Sequence, residues 1–135
     1  MSEENIEILR AFYEAFNRRL FDDALQYLHP ECELYPALPA PGEPRHYHGR
    51  AEAREFMVER IPDAWNAMTV EFKGEPIEAP DGRTLAVEQW RARGRDGIEI
   101  DTEVTDIYAF RDGLIARVDG FTDTGEALEA AGLSE

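Results

Sequence analysis

The stretch that decides the fold is residues 84–122, TLAVEQWRARGRDGIEIDTEVTDIYAFRDGLIARVDGFT. Three runs rich in Val, Ile, Thr, Tyr and Phe are joined at Asp96-Gly97 and at Arg111-Asp112-Gly113. Asp-Gly between alternating apolar and polar residues is a strong hairpin signal, because the favoured tight turns need positive φ at their central positions. The spacing predicts antiparallel strands over 84–95, 98–110 and 114–122. A further strand over 69–79 joins the same meander through Asp81-Gly82.

Hairpin geometry also predicts faces. A two-residue turn at Asp96-Gly97 sets Arg91 opposite Thr102, Gln89 opposite Val104 and Val87 opposite Asp106. A three-residue loop at Arg111-Asp112-Gly113 sets Phe110 opposite Leu114 and Asp106 opposite Val118. Opposed residues share a face. One face then holds Val87, Gln89, Arg91, Val104, Asp106, Tyr108, Val118 and Gly120, while Glu88, Trp90, Ile107 and Phe121 lie on the other. The first set is the more apolar and is expected to face the core. Asp106 sits in its middle, where an ionised carboxylate is costly and desolvation raises its pKa. Two readings stay open: Asp106 is an acid or base in a cleft, or it is paired with Arg91 or a tyrosine purely for structure.

Upstream of the meander the period changes to that of helices. Ile6, Leu9, Phe12, Tyr13 and Phe16 form one apolar stripe along a helix over 3–18. A short helix over 22–29 stops at Pro30, and 32–35 is a short strand. The proline-rich segment 36–49 is a loop that could act as a lid. A third helix over 50–65 turns Ala53, Phe56, Met57, Ile61 and Trp65 inward, and Pro62 predicts a kink or break at Ile61. The chain ends in a short helix whose start, Asp123-Thr124-Gly125-Glu126, has capping-box spacing. Helices first and a meander afterwards indicate one α+β domain over 1–135.

Charge removes several functions. With 29 acidic against 14 basic side chains, the 135-residue chain carries a formal charge of −15. That field repels nucleic-acid phosphates and anionic lipid, so neither nucleic acid nor membrane is an expected partner. No apolar run approaches the roughly 18 residues of a membrane span. The single cysteine, Cys32, cannot form an internal disulfide, which points to a cytoplasmic protein. His46 and His48 could contribute two metal ligands with Glu33 or Glu43, but no convincing third ligand accompanies them, and no metal is expected. No Gly-rich fingerprint binds a dinucleotide, so no cofactor is expected.

The segments NIEILRAFYEAFNRRLFDDALQYLHPE, YHGRAEAREF and YAFRDGLIARVDGFTDTGEALEAAGL, in this order, resemble the SnoaL-like branch of the NTF2-like superfamily. The resemblance implies a cone: a strongly curved antiparallel sheet closed by three N-terminal helices and a short C-terminal helix around an apolar pocket, commonly in a homodimer. Phe12, Phe16 and Trp65 would line the pocket from the helices, and Tyr35 and His48 from the loop. Val87, Gln89, Arg91, Val104, Tyr108, Val118 and Gly120 would line it from the sheet. The polyketide cyclases' acid on the last strand falls at Gly120 and their partner histidine at Asp106. The ketosteroid isomerases' base falls at Tyr35, and the epoxide hydrolases' Arg and Asp fall in the region of Gln89 and Arg91. None of these sets is complete. The expectation is a pocket for a small apolar, oxygen-bearing ring molecule, with Asp106 as the catalytic candidate for proton transfer or dehydration; the alternative is a non-catalytic ligand-binding or dimer-scaffold protein. Trp90, Ile107 and Phe121 are expected to meet a dimer partner.

Overall fold

A computed structural model describes residues 2–38, 44–94 and 97–133, without the side chains of residues 2, 63, 64, 66 and 67. Helix α1 (Ser2–Asn17) buries Leu9, Phe12, Tyr13 and Phe16 as its spacing predicts, and Ala15 with them, and leaves Ile6 half-buried. It ends on Arg19, at φ +62°, where the Leu20 amide reaches the Ala15 carbonyl at 2.9 Å and the Arg19 amide reaches Phe16 at 3.0 Å. That left-handed stop, a place usually held by glycine, turns the chain into α2 (Phe21–Leu25). β1 (Leu28–Tyr35) starts earlier than the sequence suggests and carries Pro30 within it. Part of the expected loop forms a second short strand, β2 (Tyr47–His48), antiparallel to β1. Glu43 and the middle of the lid lie outside the described residues.

Helix α3 (Gly49–Glu55) does not break at Pro62. It widens into a π-helical turn (Phe56–Arg60) and finishes as α4 (Ile61–Ala64). Pro62 has no amide to offer the carbonyl one α-turn back. The ladder re-registers there, with the Ile61 amide bonding the Phe56 carbonyl five residues earlier.

The remaining strands are β3 (Trp65–Phe72), β4 (Ile77–Glu78), β5 (Thr84–Gly94), β6 (Glu99–Arg111) and β7 (Leu114–Phe121), followed by α5 (Thr124–Ala130). The sheet order is β2-β1-β7-β6-β5-β3, with β4 also on β5. It is mixed, because β1 runs parallel to β7 and every other pair is antiparallel. α1 to α4 pack on its inner face around Leu9, Phe12, Leu28, Met57, Ile115 and their neighbours.

Two turns differ from expectation, with unequal effects. The amide of Gly94 bonds the carbonyl of Ile98, so three residues separate the last bonded pair, where the expected turn has two. Arg91 therefore opposes Asp101, Gln89 opposes Glu103, and Ala86 opposes Asp106. Side chains alternate along a strand, so this one-residue slip turns all of β5 over relative to β6. Glu88 and Trp90 go inward, while Val87, Gln89 and Arg91 go outward. Between β6 and β7, Asp112 (φ +56°) and Gly113 (φ +76°) make a two-residue turn instead of a three-residue one. A bulge then restores the parity, and Asp106 pairs with Gly120 on the face expected for it.

The aromatic patch expected for a dimer partner is corrected by the same geometry. Trp90 faces the inside, and Ile107 is buried with Leu85 and Ala79 beneath Ala127 of α5 and Ala131 just after it, with Phe121 packed alongside. Asp123 holds this helix in place, its carboxylate accepting from the Glu126 amide at 3.0 Å. No helix among the described residues is long and apolar enough to cross a membrane.

Candidate functional site

Between the helices and the sheet lies a cavity of about 60 Å3, room for a handful of waters or part of a small ring. Phe12, Tyr13 and Phe16 of α1 line it, with Leu34, Tyr35, Pro36 and Ala37 at the end of β1. Phe56, Met57 and Ile61 come from the π-widened helix, and Trp90, Asp106, Ile115 and Val118 from the sheet. The π turn matters here: Phe56 opens it, Ile61 follows its last residue, and both reach the cavity.

Asp106 is the one carboxylate among the cavity's lining residues, and it is not alone. Glu88, fully buried on the adjacent strand, hydrogen-bonds to it. Trp90 donates its indole N–H to Glu88 Oε1 at 2.9 Å. The Tyr108 hydroxyl lies against Glu88 Oε2, stands 3.3 Å from Asp106 Oδ2, and is 2.7 Å from the Tyr13 hydroxyl. Tyr13, Tyr108, Glu88 and Asp106 thus form one buried chain of polar groups that starts and ends on cavity-lining residues.

Burial decides the protonation of this chain. It lifts the Glu88 carboxyl well above the carboxylate range, and the charge of Asp106 lifts it further. Asp106 is pushed up to about 6, again by burial, with hydrogen bonds from Glu88 and Tyr108 pulling it back down. Two adjacent buried carboxyls do not both ionise near neutrality. The two carboxyls therefore hold one proton and one negative charge between them. Burial also raises Tyr13 and Tyr108 well above an ordinary phenol.

The other sequence-derived pocket residues divide clearly. Phe12, Phe16, Tyr35 and Val118 line the cavity, and Tyr108 lies behind it. Val104 is buried on the inner face opposite Glu88. Trp65 packs against the core without reaching the cavity. Val87 packs under α5 on the far side of the sheet. Gln89 bonds Asp101, and Arg91 pairs with Glu71 at 3.2 Å and Asp101 at 3.4 Å, all on the solvent side. Arg91 is therefore not a partner of Asp106.

Gly120 has a steric reason to be glycine. A Cβ there would lie 2.5 Å from the Ala37 amide nitrogen and 2.9 Å from Asp106 Oδ1. The place where the resemblance puts a cyclase acid is filled by the chain leaving β1 and by Asp106 itself. At the isomerase base position, Tyr35 turns its hydroxyl to Glu33 Oε1 at 3.2 Å and stacks on His46 at 4.4 Å. His46 meets the same Glu33 oxygen at 3.2 Å, while His48 is exposed and away from the cavity. Among the described residues no group of three His, Cys, Asp or Glu converges on a metal position. Cys32 is buried, and burial raises its thiol pKa.

Glu88 is the residue that sequence reasoning missed. Arg91 and Arg93 offered the signal, since two arginines at strand spacing favour the solvent face. Placing them outward fixes the parity of β5 and turns Glu88 and Trp90 in.

The architecture recurs among solved structures. A crystal structure of TerC with polyporic acid is 23% identical over 96% of this chain and 98% of that one, at a TM-score of 0.76. An NTF2-like protein of unknown function from Burkholderia pseudomallei is 22% identical over 93% and 95%, at 0.74. A structure from Pseudomonas putida, described as a candidate polyketide cyclase, is 19% identical over 93% and 96%, at 0.71. At these identities the likeness is one of fold. No curated protein sequence matches the chain significantly. The sequence pattern of the SnoaL-like domain matches residues 9–118, most of the molecule and both walls of the cavity, and the chain belongs to the SnoaL-like family.

Proposed function

We propose that the cavity binds a small ring molecule bearing a carbonyl or hydroxyl group, and that Asp106 moves a proton on it without a cofactor. The observation that carries this reading is a carboxyl in an otherwise apolar and aromatic wall, its pKa pushed up to about 6, hydrogen-bonded to a second buried carboxyl whose pKa is raised as well. A general base works best when its pKa lies near the working pH. Asp106 would take a proton from the carbon beside a carbonyl, and Tyr13 would donate to the oxygen as charge develops there. Returning the proton at another carbon isomerises the molecule; loss of a β-hydroxyl dehydrates it.

The test is deuterium uptake from D2O by a panel of cyclic ketones, enones and β-hydroxy ketones, followed by NMR. Asp106→Asn should abolish uptake while circular dichroism shows an unchanged fold; uptake surviving the substitution would sink the assignment.

A second reading, ligand binding without chemistry, is favoured by one observation. The position of the cyclases' acid is closed to any side chain by Ala37 and Asp106. Saturable binding with no uptake from any compound would favour it.

A further inference from the structure

We propose that the ligand of this cavity is a small organic cation, a protonated amine on an apolar body. The inference shares with the proposed function the premise that the cavity is the ligand site, but it does not depend on any proton being transferred.

The argument begins with what surrounds the buried charge. Among the described residues, the groups bonded to Asp106 and Glu88 are each other, the Tyr108 phenol (itself bonded to Tyr13) and the Trp90 indole, all without positive charge. None of the ion pairs among the described residues reaches either carboxyl, and the one further charge felt by Asp106 is the negative one of Asp119. A buried carboxylate is ordinarily balanced by a cation from the protein. Arg91, which could have filled that role, is held outside by Glu71 and Asp101. The site thus lacks a positive charge that a ligand can bring.

The walls suit such a ligand. Phe12, Tyr13, Phe16, Phe56 and Trp90 all line the cavity around Asp106. Aromatic faces attract cations, most strongly when desolvated, whereas they give neutral rings contact alone. An anion would meet Asp106 repulsively. A neutral ring would leave its charge uncompensated, while an ammonium group balances it and donates N–H bonds. The net charge of −15 raises the local concentration of cations and lowers that of anions.

The experiment compares two rings of nearly equal shape, piperidine, protonated at pH 7.5, and tetrahydropyran, which is neutral. Binding to the full chain is followed by the NMR signal of the Trp90 indole N–H, which lies against Glu88. Piperidinium should bind at least tenfold more tightly, and in Asp106→Asn the two affinities should fall within threefold of each other. Equal or weaker piperidinium binding overturns the inference, as does the absence of saturable binding. A preference that survives Asp106→Asn also overturns it, because the overall negative charge would then explain the effect. Should Asp106→Asn fail to fold, the wild-type preference is measured again in 1 M NaCl, which screens surface charge but not a buried contact; its disappearance there overturns the inference. Asp106-dependent piperidinium binding without deuterium uptake by any compound would remove the proposed proton transfer and leave this inference standing. Uptake with a preference for the neutral ring would do the reverse.

Discussion

Replacing Asp106 with Asn should make the protein more stable at neutral pH, and the gain should shrink as the solution is acidified. The folded pKa of about 6 lies above the ordinary 3.8 of an unfolded aspartate. A group whose folded pKa is raised contributes its stability fully below the unfolded value, and that stability is lost as pH rises through the folded value. The shift corresponds to about 3 kcal/mol lost between roughly pH 3.8 and pH 7. Asparagine has nearly the same shape and no charge to desolvate, so it escapes the loss. Urea unfolding of both proteins at pH 4.5, 6 and 8 measures the difference. The advantage of the variant should grow by about 2 kcal/mol from the lowest to the highest pH. Comparing two chains that differ by one charge cancels most of the general repulsion of an acidic surface. A pH-independent difference, or a variant less stable at every pH, would refute the argument that Asp106 is an ionised group held at a cost. The expected result would also mean that the carboxylate persists despite its effect on folding, a common mark of functional residues.

Gly120→Ala should destabilise the fold by about 1–3 kcal/mol, because the new methyl has no room against Ala37 and Asp106. Urea midpoints measure it, and a neutral substitution would show that the approach of Ala37 is loose. Tyr108→Phe removes a hydroxyl that contacts Tyr13, Glu88 and Asp106, leaving buried polar groups short of a partner at about 1–3 kcal/mol. Tyr13→Phe breaks the single contact of its hydroxyl with Tyr108 and should cost less; equal losses in the same unfolding assay would contradict the central place given to Tyr108.

Much of this arrangement could be read from residue order. The stripe from Leu9 to Phe16, the limits of the three meander strands and the Asp123 cap follow from periodicity and turn chemistry, which are local. Asp106 could be placed on the inner face because the Asp112-Gly113 turn and the bulge behind it preserve parity. Turn geometry alone misplaced Glu88, because strand faces depend on one integer, the number of residues in the turn after Gly94. Gly97 at φ +91° serves a three-residue loop as well as it serves a two-residue one. Patterning did not correct the error, since Leu85 and Val87 look as apolar as Ala86 and Trp90. An inward glutamate also breaks the rule that strands bury their apolar face, and sites of function are where such rules fail. The parallel pairing of β1 with β7 was equally hidden, because nothing local signals a contact between distant segments.

That pairing bears on how the molecule assembles. β1 and β7 join residues 84 to 87 positions apart, whereas the β5–β6–β7 meander closes over short turns. Bringing distant segments together costs loop-closure entropy before any hydrogen bond rewards it. The meander can form early, with Glu88 and Asp106 already neighbours but still hydrated. Leu34 and Val118 come together only when β1 docks. The carboxyl pair therefore loses its water late in folding, and the step that encloses the cavity is also the step that raises its pKa values.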